Sequence, residues 1–397
     1  MILFDYDKAS RLMEEQGIDV LLPNSLLNAG YLADHWKHEL VSSFGAYLTG
    51  EEGEPYLSLV GLPRDQKIEP FVTCRTGGEE NDMAYTDVWI EDKRLWGPAT
   101  TNREETSPFG PYDRVYEKPV EAAVDALRER GLERATIGIE FSFLGVGPYQ
   151  HFKRLLPEAR FVDARLLFCE LRMVKSEEEV RRIRIAVQAT ERATEAAFAA
   201  VQEGVTGFDL ERVMGASHYQ AGVRHEWIHT CIGASRAQIT CPNDTPVRRG
   251  DVVRFDVGCS YRHYQSDVSR VGVLGKPSAE LLRAHSTMRR ALEAVVEAAK
   301  PGVTCEHLHN VGNPIIESGG LRNFCTIVGH GVGRTIHERP FLQRGDLTAL
   351  EPGMTLSIEL ATIVKGLGCI ALEDEIVISS DGNNQLSTKG RELCIIG

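Results

Sequence analysis

Four carboxylates of this chain stand where a folded protein tolerates them badly. Asp256 and Asp267 lie in residues 252–274, VVRFDVGCSYRHYQSDVSRVGVL, and Glu359 and Glu373 lie in residues 355–379, TLSIELATIVKGLGCIALEDEIVIS. Both stretches read as hairpins of apolar, β-branched strands, with turns near 260–263 and at Gly366-Leu367-Gly368. Asp256 and Asp267 sit at similar distances from the first turn and are expected as a cross-strand pair. Glu359 and Glu373 are equidistant from Gly366 and are expected opposite one another. Carboxylates inside apolar strands are costly unless they are paired or bind a cation. For the first pair alone, solvated loop carboxylates explain the sequence equally well; a second hairpin of the same kind weakens that explanation.

A histidine completes the set. In TIVGHGVGRTIHERP, residues 326–340, His330 lies between Gly329 and Gly331, whose small size lets the backbone bring an imidazole close to other groups. His337 follows in the same glycine-rich segment, beside Glu338. Four carboxylates and one imidazole suit Mn²⁺, Fe²⁺, Co²⁺ or Zn²⁺. Two such ions in one site activate water for attack on an amide or other C–N bond.

The elements that must position these residues fall into two groups. Over the first ~170 residues helical and strand-like segments alternate, the pattern of an α/β domain: helices over 7–17, 119–131 and 146–155, strands over 18–22, 135–139 and 159–162. Residues 76–116, rich in Gly, Pro, Asn and charge and holding Trp89, Trp96, Phe109 and Tyr112, read as a functional loop or an irregular excursion. Arg172-Met173-Val174-Lys175 reads as a junction, dividing the chain into domains 1–172 and 173–397. Ser176 with Glu179 forms a capping box that opens a helix ending at Gly204; further helices are expected at 208–221 and 278–299, and β-rich stretches dominate from about 226.

Composition narrows the function classes. The 397 residues carry a net charge of −13, which disfavours a nucleic acid or an anionic membrane as partner. No run approaches the ~18 apolar residues of a membrane span. Nine scattered cysteines without a CxxC motif fit free thiols in a reducing compartment, so the expected location is the cytoplasm.

The ordered set FDVG–SDVSR, GHGVG–IHERP, LEPGM–LSIE and ALED resembles the pita-bread metallopeptidase family of creatinases, prolidases, aminopeptidase P and methionine aminopeptidases. The match covers most of 176–397, and the preceding domain and the junction ELRMVKSEEEVRRIRIA are similar to those of creatinase and aminopeptidase P. The resemblance implies a creatinase-like N-terminal α/β domain followed by a pita-bread α+β catalytic domain, its helices outside and two divalent metals on the inner face. It implies a homodimer in which one subunit's N-terminal domain helps shape the other's site. It assigns Asp256 to one metal, Asp267 and Glu373 as bridges, and His330 and Glu359 to the second metal. Glu359 would also shuttle protons, and His337 would hydrogen-bond the substrate.

The sequence departs from that pattern around the ligands. Thr240 and Cys241 stand where a histidine is expected, Leu360-Ala361 follow Glu359 in place of Pro-Gly, Ala371 replaces an arginine and His263 a glycine. His229 and His263 are therefore candidate substrate residues. The leading expectation is an Xaa-Pro dipeptidase or aminopeptidase P-like hydrolase acting on a dipeptide or other small substrate. The alternatives are a specialised enzyme on the same scaffold (ectoine hydrolase-like, creatinase-like or a sulfonium-osmolyte lyase) and, less favoured, a non-catalytic binding module.

Overall fold

The computed structural model of the protein describes residues 1–34, 59–75, 88–96, 115–234 and 240–397. These divide into two compact units, Met1–Arg172 and Met173–Gly397.

In the first unit a mixed sheet has the order β5-β4-β3-β2-β1-β6-β7, formed by β1 (Val20–Leu21), β2 (Val60–Pro63), β3 (Phe71–Arg75), β4 (Asp92–Trp96), β5 (Val115–Tyr116), β6 (Thr136–Ile139) and β7 (Arg160–Asp163). One face packs on α1 (Tyr6–Glu15), α2 (Leu26–Ala33) and α5 (Arg165–Met173) through Met13, Leu32 and Phe168. The other packs on α3 (Pro119–Glu129) and α4 (Val146–Leu155) through Val120, Leu127 and Phe152. Sheet strands covered on both faces read as apolar runs, as Val20-Leu21-Leu22 does. The sequence pattern assigns neither α2 nor α5. Within the stretch read as irregular, Asp92–Trp96 is a strand and Trp96 is buried; most of that stretch, with Phe109 and Tyr112, lies outside the described residues.

The second unit opens with α6 (Glu177–Ala200), whose Ser176–Glu179 capping box is formed in both directions. Then follow α7 (Gly207–Gln220), β8 (Arg224–Ile232), β9 (Val252–Tyr261), β10 (Tyr264–Gln265), β11 (Val268–Leu274), α8 (Ala279–Ala298), α9 (Cys305–Ser318), β12 (His330–Gly331), β13 (Glu338–Phe341), β14 (Thr355–Val364), β15 (Gly368–Ile378), β16 (Asn383–Gln385) and β17 (Cys394–Ile396). The main path of the sheet is β10-β9-β11-β15-β14-β12-β13, with β8 added on β9, β16 on β15 and β17 on β11.

Strand alternation sorts the side chains. Leu356, Ile358, Leu360, Ile370, Leu372 and Ile376 pack with α8 and α9, while Val253, Phe255 and Val257 join Met214 of α7 and Ala197 of α6 in a second core. The residues between them on β9, β14 and β15, among them Asp256, Glu359 and Glu373, take the opposite face. A polar site therefore lies in strands whose sequence is largely apolar.

Candidate metal centre

Turn geometry sets which acids meet. In β14–β15 the ladder runs from Thr355↔Val377 to Val364↔Gly368 and makes Glu359 and Glu373 register partners. Gly366 and Gly368 hold φ of 84° and 103°, a region that glycine enters without a Cβ penalty.

The β9–β11 hairpin differs from the expected pairing. Its turn residues are Arg262 and His263, with φ of 49° and 64°, so the register puts Ser269, not Asp267, opposite Asp256. Asp267 lies two residues before Ser269 and reaches Asp256 diagonally on the same face. Its position is fixed from β15: Ser269 pairs with Glu373, and the Asp267 amide donates to Glu375 Oε1.

Three overlapping groups result. Ligand atoms of Asp256, Asp267 and Glu373 lie within 4.8 Å of one another, as do those of His330, Glu359 and Glu373, and those of Asp267, His330 and His337. Asp256, Asp267, His330 and Glu373 are buried, Glu359 is half-buried and His337 is exposed. Glycine makes the approach of His330 possible. A Cβ on Gly329 would lie 2.3 Å from the Ser357 carbonyl oxygen, and one on Gly331 would lie 2.4 Å from that of Arg339. His330 Nδ1 sits 3.1 Å from the Gly331 carbonyl oxygen, the geometry for a donated bond, which leaves Nε2 as the acceptor 3.7 Å from Asp267 Oδ2 and 3.8 Å from Glu373 Oε1. The His337 ring stands edge-on to His330 at 4.2 Å.

The electrostatics call for a cation. Burial, then the neighbouring carboxylates, push Asp267 and Glu373 well above the usual carboxylate range. Burial and His337 push His330 down to about 3, so its imidazole is neutral at physiological pH. Asp267 Oδ1, Glu373 Oε2 and His330 Nε2 are buried without a hydrogen-bond partner among the described residues. Unpartnered buried polar atoms are rare in folded proteins. Here they belong to three residues whose donor atoms converge, and an oxygen-rich donor set with one neutral imidazole fits a divalent metal. Ser357 Oγ, donating to Glu373 Oε1 at 2.7 Å, orients that carboxylate.

Among the remaining sequence candidates, His229 on β8 is the register partner of Asp256 and packs its ring 5.3 Å from Trp227; its Nδ1 is buried without a partner among the described residues. His263 lies in the hairpin turn and is not among the grouped ligands. Thr240 accepts from the Thr230 amide through its carbonyl, and its hydroxyl lies 3.7 Å from Cys231 Sγ; Cys241 is exposed.

Two residues escaped the sequence reading. Glu375, fully buried, anchors the Asp267 backbone. Arg254, also fully buried, donates through Nη2 to Asp256 Oδ2. Ala371, where the resemblance expects an arginine, lies in a small apolar cluster with Cys231, Ala361 and Cys369, and the guanidinium beside the acids comes from β9 instead. Spacing gives a signal for the face of each: Arg254 is two residues before Asp256, and Glu375 two residues after Glu373.

Comparison with known proteins agrees with this architecture. Residues 181–380 match the metallopeptidase family M24, and residues 6–174 match the creatinase/prolidase N-terminal domain. An Xaa-Pro dipeptidase of Lactobacillus helveticus is 31% identical over 361 residues, covering 88% of this chain and 92% of the relative. An Xaa-Pro dipeptidase structure from Bacillus anthracis superimposes with a TM-score of 0.79 at 20% identity, covering 98% of this chain and 99% of that one. An X-Pro aminopeptidase from Thermotoga maritima gives 0.77 at 20% identity, covering 99% of each. The chain belongs to metallopeptidase family M24. It is a metal-dependent hydrolase that uses divalent metal, with a creatinase-type N-terminal domain before its catalytic domain.

Proposed function

We propose that the protein is a dinuclear-metal-dependent Xaa-Pro dipeptidase. The observation that carries this reading is its similarity to the Lactobacillus helveticus Xaa-Pro dipeptidase along 92% of that enzyme's length. The two acid groups sharing Glu373 support it, since they have room for two cations joined by one carboxylate.

In this reading Asp256 would serve one metal, His330 and Glu359 the other, and Asp267 and Glu373 both. Such ions make water a nucleophile at neutral pH and draw charge from a carbonyl oxygen. The chain's own groups do the rest. Glu359, the least buried of the four acids, takes the proton from the attacking water and delivers it to the leaving nitrogen. His337, on the exposed side of His330, donates a hydrogen bond to the scissile carbonyl oxygen as negative charge grows there. His229, beside Asp256, contacts the substrate; the turn position of His263 gives it weaker support. The working form is a cytoplasmic homodimer.

The test is turnover of Xaa-Pro dipeptides by protein loaded with Mn²⁺, Co²⁺, Fe²⁺ or Zn²⁺, compared with ectoine, creatine and sulfonium substrates. Xaa-Pro cleavage that a chelator removes is the expected result. A metal-loaded protein that leaves every Xaa-Pro dipeptide intact is not a dipeptidase of this kind.

A further inference from the structure

Arg254 is the feature of the site that metal binding alone does not explain. Its side chain is fully buried on the inner face of β9, among acids that are to hold cations. A guanidinium is not deprotonated inside a protein, so it brings a permanent positive charge to a place built to collect more. Its Nη2 donates to Asp256 Oδ2 and lies 4.0 Å from Glu359 Oε1. Its Nε donates to Ser269 Oγ at 3.0 Å, and that hydroxyl donates to the Phe255 carbonyl, also at 3.0 Å. Cys231 is its register partner on β8, and Cys369 completes the thiol pair beside it. The guanidinium is thus anchored from behind and aimed at Asp256.

We propose that Arg254 is a resident counter-cation of the metal centre. It balances Asp256 and Glu359 while no metal is bound, and it keeps Asp256 Oδ2 for itself, so that Asp256 offers an incoming metal Oδ1 alone. Burying a carboxylate without a positive partner is costly, so removing the guanidinium has opposite effects on the two states. The metal-free chain loses its charge balance. The metal gains a second oxygen of Asp256 and loses a competing positive charge. Arg254 is in this sense a positioning residue, trading metal affinity for a fold that survives without metal.

This inference rests on the acids being metal ligands, and the experiment separates the two. Thermal melting and Mn²⁺ calorimetry are carried out on the full chain as wild type, Arg254→Met and Arg254→Lys. Metal-free Arg254→Met is expected to melt below metal-free wild type. Mn²⁺ is expected to raise its Tm by more than it raises that of wild type, with affinity tighter by about 10-fold, the size typical of changes around metal ligands. Arg254→Lys, which keeps the charge without the fork, falls between. A chain that folds only with Mn²⁺ is the same result in its extreme form. If Arg254→Met folds in neither state, Arg254→Lys decides by the same comparison. An equal loss of Tm with and without Mn²⁺, or unchanged or weaker Mn²⁺ binding, overturns the proposal. Wild type that binds no Mn²⁺ overturns the metal-site reading instead.

Discussion

Glu359 and Glu373 face each other across β14 and β15 as register partners, yet Glu373 belongs to two of the three-residue ligand groups and Glu359 to one. The difference lies in depth. Glu373 is buried on the central strand and held by Ser357, whereas Glu359 is half-buried and nearer solvent. Glu373→Gln is therefore expected to weaken Mn²⁺ binding by about 100-fold or more and to abolish turnover, while Ser357→Ala costs about 10-fold in affinity. Calorimetry with Mn²⁺ checks both. Full Mn²⁺ occupancy in Glu373→Gln would refute its bridging role.

His337 is separated from the ligands by function rather than by distance. His337→Ala is expected to retain the wild-type metal content and lose about 10²–10³ in kcat, the size typical of one lost donor to a developing oxyanion. Elemental analysis alongside steady-state kinetics checks this. Loss of metal together with rate would make His337 a ligand.

Gly329 is a close-approach position. A methyl group there meets the Ser357 carbonyl oxygen at 2.3 Å, and backbone cannot move aside as a flexible side chain can. Gly329→Ala is expected to cost on the order of 2 kcal/mol and to displace His330. Denaturant unfolding measures the first effect, and Mn²⁺ affinity the second. An unchanged midpoint would show that β12 can shift away from β14 without strain.

Acid sensitivity has a source remote from the site. His218 of α7 is buried, and its Nδ1 lies 2.9 Å from His225 Nδ1. Burial, then His225, push it down to about 4. Between the ordinary value of ~6.5 and about 4, the unfolded chain binds a proton that the folded chain refuses. Stability is therefore fully present above that window and lost as pH falls through it, by at most ~1.4 kcal/mol per pH unit for one proton. His218→Gln is expected to flatten the dependence of Tm on pH between 6.5 and 4. An unaltered slope would assign the proton uptake to other histidines.

Much of this was legible in the sequence because it rests on period and register. The Gly366–Gly368 turn fixes the centre of its hairpin, so equal spacing placed Glu359 opposite Glu373. The Ser176–Glu179 box announced α6. The β9–β11 register was read two residues off, because the left-handed turn at Arg262 and His263 uses no glycine and gave no signal. Helix α9 was missed because Pro314 lies inside it. Arg254 and Glu375 show their faces by spacing but not their partners: Arg254 meets Asp256 on its own strand, and Glu375 meets the Asp267 amide more than a hundred positions away. Only the folded sheet says which.

The alternation that hides acids among apolar neighbours also makes the site intolerant of length. Each strand residue shifted by one exchanges its faces. One residue inserted within β15 between Gly368 and Glu373 would turn Glu373 toward α8 and bring Leu372 into the metal centre. The same insertion in the turn at Gly366 would leave both faces as they are and change only the loop. Tolerance to insertion should thus change abruptly along this hairpin, from permissive at its tip to prohibitive a few residues inward, so a scan of single-residue insertions would trace the metal centre without any metal being measured.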